Sequence, residues 1–175
     1  PGCSGFAGAA QACSSCTIGG MLVDPAVLDR IRGNDPSCHR VVLRGSGEGD
    51  LEHLFAVTAA LAAARQVREI ALHSPGPEVV ALVRAVLVVN TAIKGVEVDA
   101  PPGHDGLAIS AATEAMANAL VTTSALTSLT LSSRSAMTDA AWLALAGALR
   151  TNQTLQSLSL HAFDGPEEAL VAIAG

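Results

Sequence analysis

Ala119-Leu-Val-Thr-Thr-Ser-Ala-Leu-Thr-Ser-Leu-Thr-Leu131 and Ala148-Leu-Arg-Thr-Asn-Gln-Thr-Leu-Gln-Ser-Leu-Ser-Leu160 are two versions of one phrase. Each begins as the end of a helix and closes on the hexamer apolar-x-x-apolar-x-apolar, whose last residues alternate as a strand does. The same hexamer occurs upstream as Cys38-His-Arg-Val-Val-Leu43, Val67-Arg-Glu-Ile-Ala-Leu72 and Ile93-Lys-Gly-Val-Glu-Val98. Starts at 38, 67, 93, 126 and 155 are spaced 29, 26, 33 and 29 residues apart. Five hexamers near one period mark an internally repeated chain.

Between hexamers the apolar spacing becomes helical. Leu51, Leu54, Phe55, Thr58 and Leu61 fall on one predicted face. Val79, Leu82, Val83, Val86 and Leu87 form a second, and Ala141, Trp142, Leu145 and Leu149 a third. Asp50 stands where an N-cap belongs, and Pro77 and Pro166 where a first helical residue belongs. One strand and one helix cannot bury their own apolar faces, but stacked units can. The pattern therefore predicts an α/β fold, a curved solenoid of about five repeats. Its parallel sheet lies on the concave side and its helices on the convex side.

The phrase at 119–126 and its counterpart at 148–155 resemble the long leucine-rich repeats of the ribonuclease-inhibitor type. Ile31-Arg-Gly-Asn-Asp-Pro-Ser-Cys-His-Arg-Val-Val-Leu43 is similar to the start of the repeat domain of tropomodulins, and Leu149–Leu158 to a later repeat. The resemblance spans roughly residues 26–175 and implies a leucine-rich-repeat fold that works by binding protein. One departure matters. The ninth repeat position usually carries Asn or Cys in this family, but here it holds Ser46, Pro75, Pro101, Arg134 and Phe163. Other groups must then satisfy the turning backbone.

Residues 1–24 lack either period and read as an extended Cys/Gly/Ala-rich arm; 25–175 read as the repeat domain. Its first element is a short cap helix, Ala26–Arg32, with Val27, Leu28 and Ile31 inward.

Half of the 175 residues are hydrophobic, 15% are charged, and the net charge is −6. The mean hydropathy of +0.42 means that much apolar surface must be covered. Phe6, Phe55, Phe163 and Trp142 are the aromatics, and there is no Tyr. An acidic chain with so few stacking rings is ill suited to nucleic acid. The apolar run Val79–Val89 is about half a bilayer span and contains Arg84, so no transmembrane segment is expected. No signal-peptide pattern opens the sequence. Pro1 in place of Met reads as a processed start or a fragment. That suits a cytoplasmic, cytoskeletal setting or import into an organelle.

Third, fifth and seventh repeat positions should face the concave side as three ladders. They read Arg40, Glu69, Gly95, Ser128, Ser157; then Val42, Ala71, Glu97, Thr130, Ser159; then Arg44, His73, Asp99, Ser132, His161. Charges occupy the first three strands and hydroxyls the last two. The candidate protein-binding residues are Arg40, Arg44, Glu69, His73, Glu97, Asp99, Thr130, Ser132, Ser159 and His161. Arg40 and Glu69 are expected to pair across strands. No polar capping repeat follows the last hexamer, so Leu160, Leu170 and Ile173 are expected to meet a partner at that end.

Catalytic and metal chemistry find little support. Cys38 fills a buried apolar slot, which leaves Cys3, Cys13 and Cys16, one short of a closed zinc site. The cysteines read as free thiols ahead of a disulfide or a metal site. Gly45-Ser-Gly-Glu-Gly-Asp50 lacks the Lys-Ser/Thr ending of a phosphate loop, and Gly103-His-Asp-Gly106 reads as a long loop in the 33-residue repeat. In the seventh-position ladder Asp99 separates His73 from Ser132, whereas a hydrolytic relay needs the histidine in the middle. The expectation is a non-catalytic subunit without cofactor that docks on other proteins of a larger complex. The alternative is a reversible regulator, such as an enzyme inhibitor or a tropomodulin-like actin filament cap.

Overall fold

The structure, a computed structural model, describes residues 15–19, 25–44, 51–100, 106–133 and 135–161. Strands and helices alternate: β1 (Ser15–Gly19), α1 (Pro25–Arg32), β2 (Arg40–Arg44), α2 (Leu51–Ala63), β3 (Glu69–His73), α3 (Pro77–Val89), β4 (Gly95–Ala100), α4 (Gly106–Thr122), β5 (Ser128–Ser133), α5 (Asp139–Thr151) and β6 (Ser157–His161). The six strands form one parallel sheet in chain order. Each helix packs against the next along the chain. This is the α/β leucine-rich-repeat solenoid that the hexamers predict.

The hexamers fold as their pattern requires. In β4, Val96, Val98 and Ala100 are buried beneath the sheet, while Gly95, Glu97 and Asp99 face the open side. β5 repeats the alternation. The helices close the core from behind. Trp142, Leu145 and Ala141 of α5 are buried, as are Val83, Val86 and Leu87 of α3. Pro77 opens α3 as expected, after Gly76 as N-cap. Asp50 and Pro166 lie outside the described residues.

The α2 face differs from the expectation. Leu61 is fully buried, but Phe55 is 72% exposed. The inward row is Val57, Ala60 and Leu61, continued by Ala64 just past the helix. Their spacing of three and four residues sets the buried stripe, and small alanines let neighbouring backbones approach. Phe55 falls off that stripe toward solvent.

Two further features depart from the sequence reading. The sheet has six strands, because Ser15–Gly19 pairs in parallel with β2 within the stretch read as an arm. Cys16 and Ile18, two residues apart, are both buried there. The 33-residue repeat spends its extra length on helix. α4 has 17 residues where α2, α3 and α5 have 13, a difference of about one turn. It starts at Gly106, whose hypothetical Cβ would stand 2.6 Å from the Ala136 carbonyl oxygen. A side chain there would collide with the segment leading into α5.

The corners at which a helix leads into the next strand, at the opposite end of the strand from the ninth position, are held by side chains. The residue three before each hexamer start carries the turn. Asn90 accepts from the Ala92 N–H through Oδ1 (2.8 Å), and Asn152 accepts from Thr154 (2.9 Å) and Leu155 (2.7 Å). Asp35 does the same for Ser37 (2.9 Å), and Thr123 accepts from Ala125 (3.3 Å). These are side-chain turns that imitate a backbone turn. The carboxamides also reach back one repeat. Asn90 Nδ2 donates to the carbonyls of Leu61 and Ala64 (2.8 Å to the latter), and Asn152 Nδ2 donates to Leu120 (2.7 Å). In the repeat where this position is Ala64, Asn34 Oδ1 accepts from the Arg65 N–H at 2.8 Å.

Candidate functional site

The three predicted ladders are present in register. Arg40, Glu69, Gly95, Ser128 and Ser157 are successive Cα partners, as are Val42, Ala71, Glu97, Thr130 and Ser159, and then Arg44, His73, Asp99, Ser132 and His161. The parallel sheet therefore brings all ten predicted concave-face residues onto one surface. The open side belongs to side chains because every helix packs on the other.

The face has two unlike halves. Over β2–β4 it is held by ion pairs. Arg40 donates through Nη1 to Glu69 Oε1 (3.0 Å), the expected cross-strand pair. It also donates through Nη2 to Glu97 Oε2 (2.7 Å), which lies two strands away. Ala71, small and fully buried on the strand between them, permits that reach. His73 Nδ1 lies 3.1 Å from Asp99 Oδ2. Each of these groups is about one-third exposed, so each pair contributes ~1 kcal/mol or less. Their effect is to fix side-chain directions, and Arg40 offsets one of the two glutamate charges it touches. Over β5 and β6 the face is Ser128, Thr130, Ser132, Ser157 and Ser159, with exposed His161 at its edge. Arg44 is exposed at the end of β2.

In the seventh-position row, Asp99 stands between His73 and Ser132, and His161 lies beyond Ser132. His73 thus touches the acid and is two strands from the serine. Among the described residues no group of three or more His, Cys, Asp and Glu is placed to hold a metal ion. No helix among them is long and apolar enough to cross a membrane.

Cys16 and Cys38 form a disulfide, with Cα atoms 5.8 Å apart. The free-thiol reading is corrected for these two. β1 lies beside β2 in a register that pairs Cys16 with Val41, which brings its side chain into the buried layer under Cys38. Cys3, Cys13, His104 and Asp105 lie outside the described residues.

At the far end, Leu160 is half-buried, as are Leu155 and Leu158. Their counterparts Leu126, Leu129 and Leu131 are fully buried one repeat earlier. Leu170 and Ile173 lie outside the described residues.

Sequence reasoning overlooked the row that precedes the strands. His39, Arg68, Lys94, Thr127 and Gln156 are the second residues of their hexamers. The His39 carbonyl accepts from the N–H groups of both Arg68 (2.7 Å) and Glu69 (3.1 Å), and Arg68, Lys94 and Thr127 repeat this toward the next strand. Their side chains border the open face, and Arg68, Lys94 and Thr127 line a shallow recess beside Gly95. The signal was the lone glycine among five third-position residues.

No protein-family model matches the chain, and no curated protein matches it in sequence. Solved structures do resemble it. One, described as Leiomodin-1 Actin-Binding Site 2, has a TM-score of 0.62 at 23% identity, covering 84% of this chain and 83% of that chain. Another, a tropomodulin C-terminal domain from Caenorhabditis elegans, has a TM-score of 0.61 at 10% identity, covering 86% of this chain and 88% of that one. At these identities the likeness is one of fold. This chain has the leucine-rich-repeat-like architecture of the tropomodulin and leiomodin domains, in keeping with the tropomodulin-like phrases at 31–43 and 149–158.

Proposed function

We propose that this chain is a non-catalytic protein-binding subunit. It docks on partners in a larger assembly through the concave face and the end of the solenoid at β6. The observation that carries this reading is the division of one continuous face into an ion-paired half and a hydroxyl half, aligned strand by strand. Such a face offers graded polarity for a complementary protein surface but no nucleophile, base and acid in a working order. The half-buried leucines of β6 add an apolar edge. Native mass determination after gentle extraction tests the reading. A large complex of fixed stoichiometry is expected, and a lone stable monomer would overturn it.

A second reading is favoured by one observation, the actin-binding site described for the leiomodin neighbour. It makes the chain a reversible regulator, a tropomodulin-like actin filament cap or an enzyme inhibitor. Co-sedimentation with filamentous actin and a filament-elongation assay separate the two. A fixed complex without effect on elongation supports the subunit. Slowed elongation by purified chain supports the cap.

A further inference from the structure

One position on the open face has no side chain. Gly95 begins β4 and stands between Glu69 and Ser128 in the third-position row. β4 is an inner strand of the sheet, where glycine gives away packing and strand propensity. Neither backbone conformation nor crowding demands it. The residue lies in a regular strand, and a Cβ would meet Glu69 Cγ at 3.4 Å and Ser128 Cβ at 4.0 Å, ordinary contacts. The fold therefore has room for a larger residue. What the glycine leaves is a recess.

The recess has a volume of about 270 Å³ and lies over Gly95. Exposed Arg68 and Lys94 bring two cations to it, and Ser128 and Thr130 line it with hydroxyl groups, while the Thr127 hydroxyl beside them donates to the Lys94 carbonyl (3.2 Å). Glu69 is the one acid in the lining; it shares the Arg40 guanidinium (3.0 Å) with Glu97 (2.7 Å), which leaves one negative charge on that trio against the two cations of Arg68 and Lys94. Arg68 is steadied by donating through Nη1 to the Ala92 carbonyl (3.2 Å). The space is open to the face and large enough to admit a side chain of a docked protein. Cations beside hydroxyl donors select a carboxylate, which accepts charge-assisted hydrogen bonds from both.

We infer that this recess receives an aspartate or glutamate side chain of the protein that docks on the concave face. The inference rests on the protein-binding reading and names the chemistry of its central contact. A glycine in a strand where another chain approaches closely is the physical counterpart of such a pocket.

The test is a titration of the isotope-labelled full chain, followed by amide chemical shifts. The probes are capped pentapeptides, acetyl-Gly-Gly-X-Gly-Gly-amide, with X as Glu, Gln or Lys. The Glu peptide is expected to shift Lys94–Val96 and Thr127–Thr130, with the Gln and Lys peptides at least ~10-fold weaker. G95V fills the recess with a better strand former. It should melt no lower than wild type and lose the response. R68Q/K94Q, at two exposed positions, should lose it as well and serves if G95V folds poorly. Equal response to Glu and Gln, shifts scattered over the sheet, no response to any peptide, or an unchanged response in either variant would each overturn the inference. Its failure is separable from that of the binding reading. A native complex that assembles undiminished with G95V removes the recess and leaves the docking surface standing. Absence of any complex removes the docking surface, whatever the peptides do.

Discussion

Asn90 concentrates in one side chain the interactions that join successive repeats, and its removal should be felt throughout the fold. It is 4% exposed. Its carboxamide donates to the carbonyls of Leu61 and Ala64 and accepts from the Ala92 N–H. Asn90→Ala deletes all three bonds and leaves two carbonyls and one N–H beside a gap. At ~1 kcal/mol net for each bond lost from a buried partner, the cost is about 3 kcal/mol. In a chain of this size that corresponds to a fall in melting temperature of roughly 6–12 °C. Asn90→Asp tests the donor role. Its carboxylate would face two carbonyl oxygens with no proton to offer, so at neutral pH it should cost more than Asn90→Ala. The mismatch raises the folded-state pKa of the new group. Its deficit should therefore shrink as pH falls through that value, because protonation restores a donor. Thermal and urea unfolding by circular dichroism, with exposed Thr91→Ala as control, read these differences. A loss below ~0.5 kcal/mol for Asn90→Ala, or an Asn90→Asp deficit that does not change with pH, would refute the role assigned to this corner.

Four other outcomes follow from local geometry. Gly147 is exposed within α5 with nothing inside 4 Å of a hypothetical Cβ, so G147A should stabilise by up to about 1 kcal/mol in urea titrations. G106A should destabilise by roughly 1–3 kcal/mol, because its Cβ would meet a backbone carbonyl at 2.6 Å. The hydroxyl and N–H of Ser37 and the guanidinium of Arg30 hold Asp35 below the usual carboxylate range, at about 2. Its contribution is complete above the unfolded value of ~3.9 and is lost as pH falls toward 2; carboxyl NMR should place the midpoint there, and D35N should remove that part of the acid dependence. Cutting the Cys16–Cys38 bridge, which spans 22 residues, should cost about 3 kcal/mol; unchanged unfolding after thiol reduction would count against it.

Much of the architecture was legible because a solenoid writes its fold locally. The alternation in Val96-Glu-Val98 or Leu129-Thr-Leu131 identifies both a strand and its buried side, and the common period sets the register that aligns Arg40 with Glu69 and Asp99 with Ser132. Features depending on more than one repeat were harder to see. Ser15–Gly19 is too short to display a period, and it gains its place from β2 and the bond to Cys38. Phe55 satisfies a helical spacing but loses the inward face to Val57 and the alanines that allow close packing. The reach of Arg40 to Glu97 depends on the small residue at 71, which a ladder of odd positions does not reveal. The corner asparagines are easily mistaken for loop polarity, since their bonds run to carbonyls about thirty residues earlier in the chain.

Arg40 has a mechanical consequence. The backbone ladder ties each strand only to its neighbours, so in such an array the ends can loosen one unit at a time. The guanidinium that spans β2 to β4 is a staple across three rungs. It couples their fluctuations by a modest amount, and no corresponding bond among the described residues ties β4 to β6. The sheet is thus slightly more tightly tied over β2–β4 than over β5 and β6. A ligand laid across both would meet a preformed surface on one side and would have to still the other. Amide exchange should slow together across β2, β3 and β4, and quicken stepwise through β5 into β6.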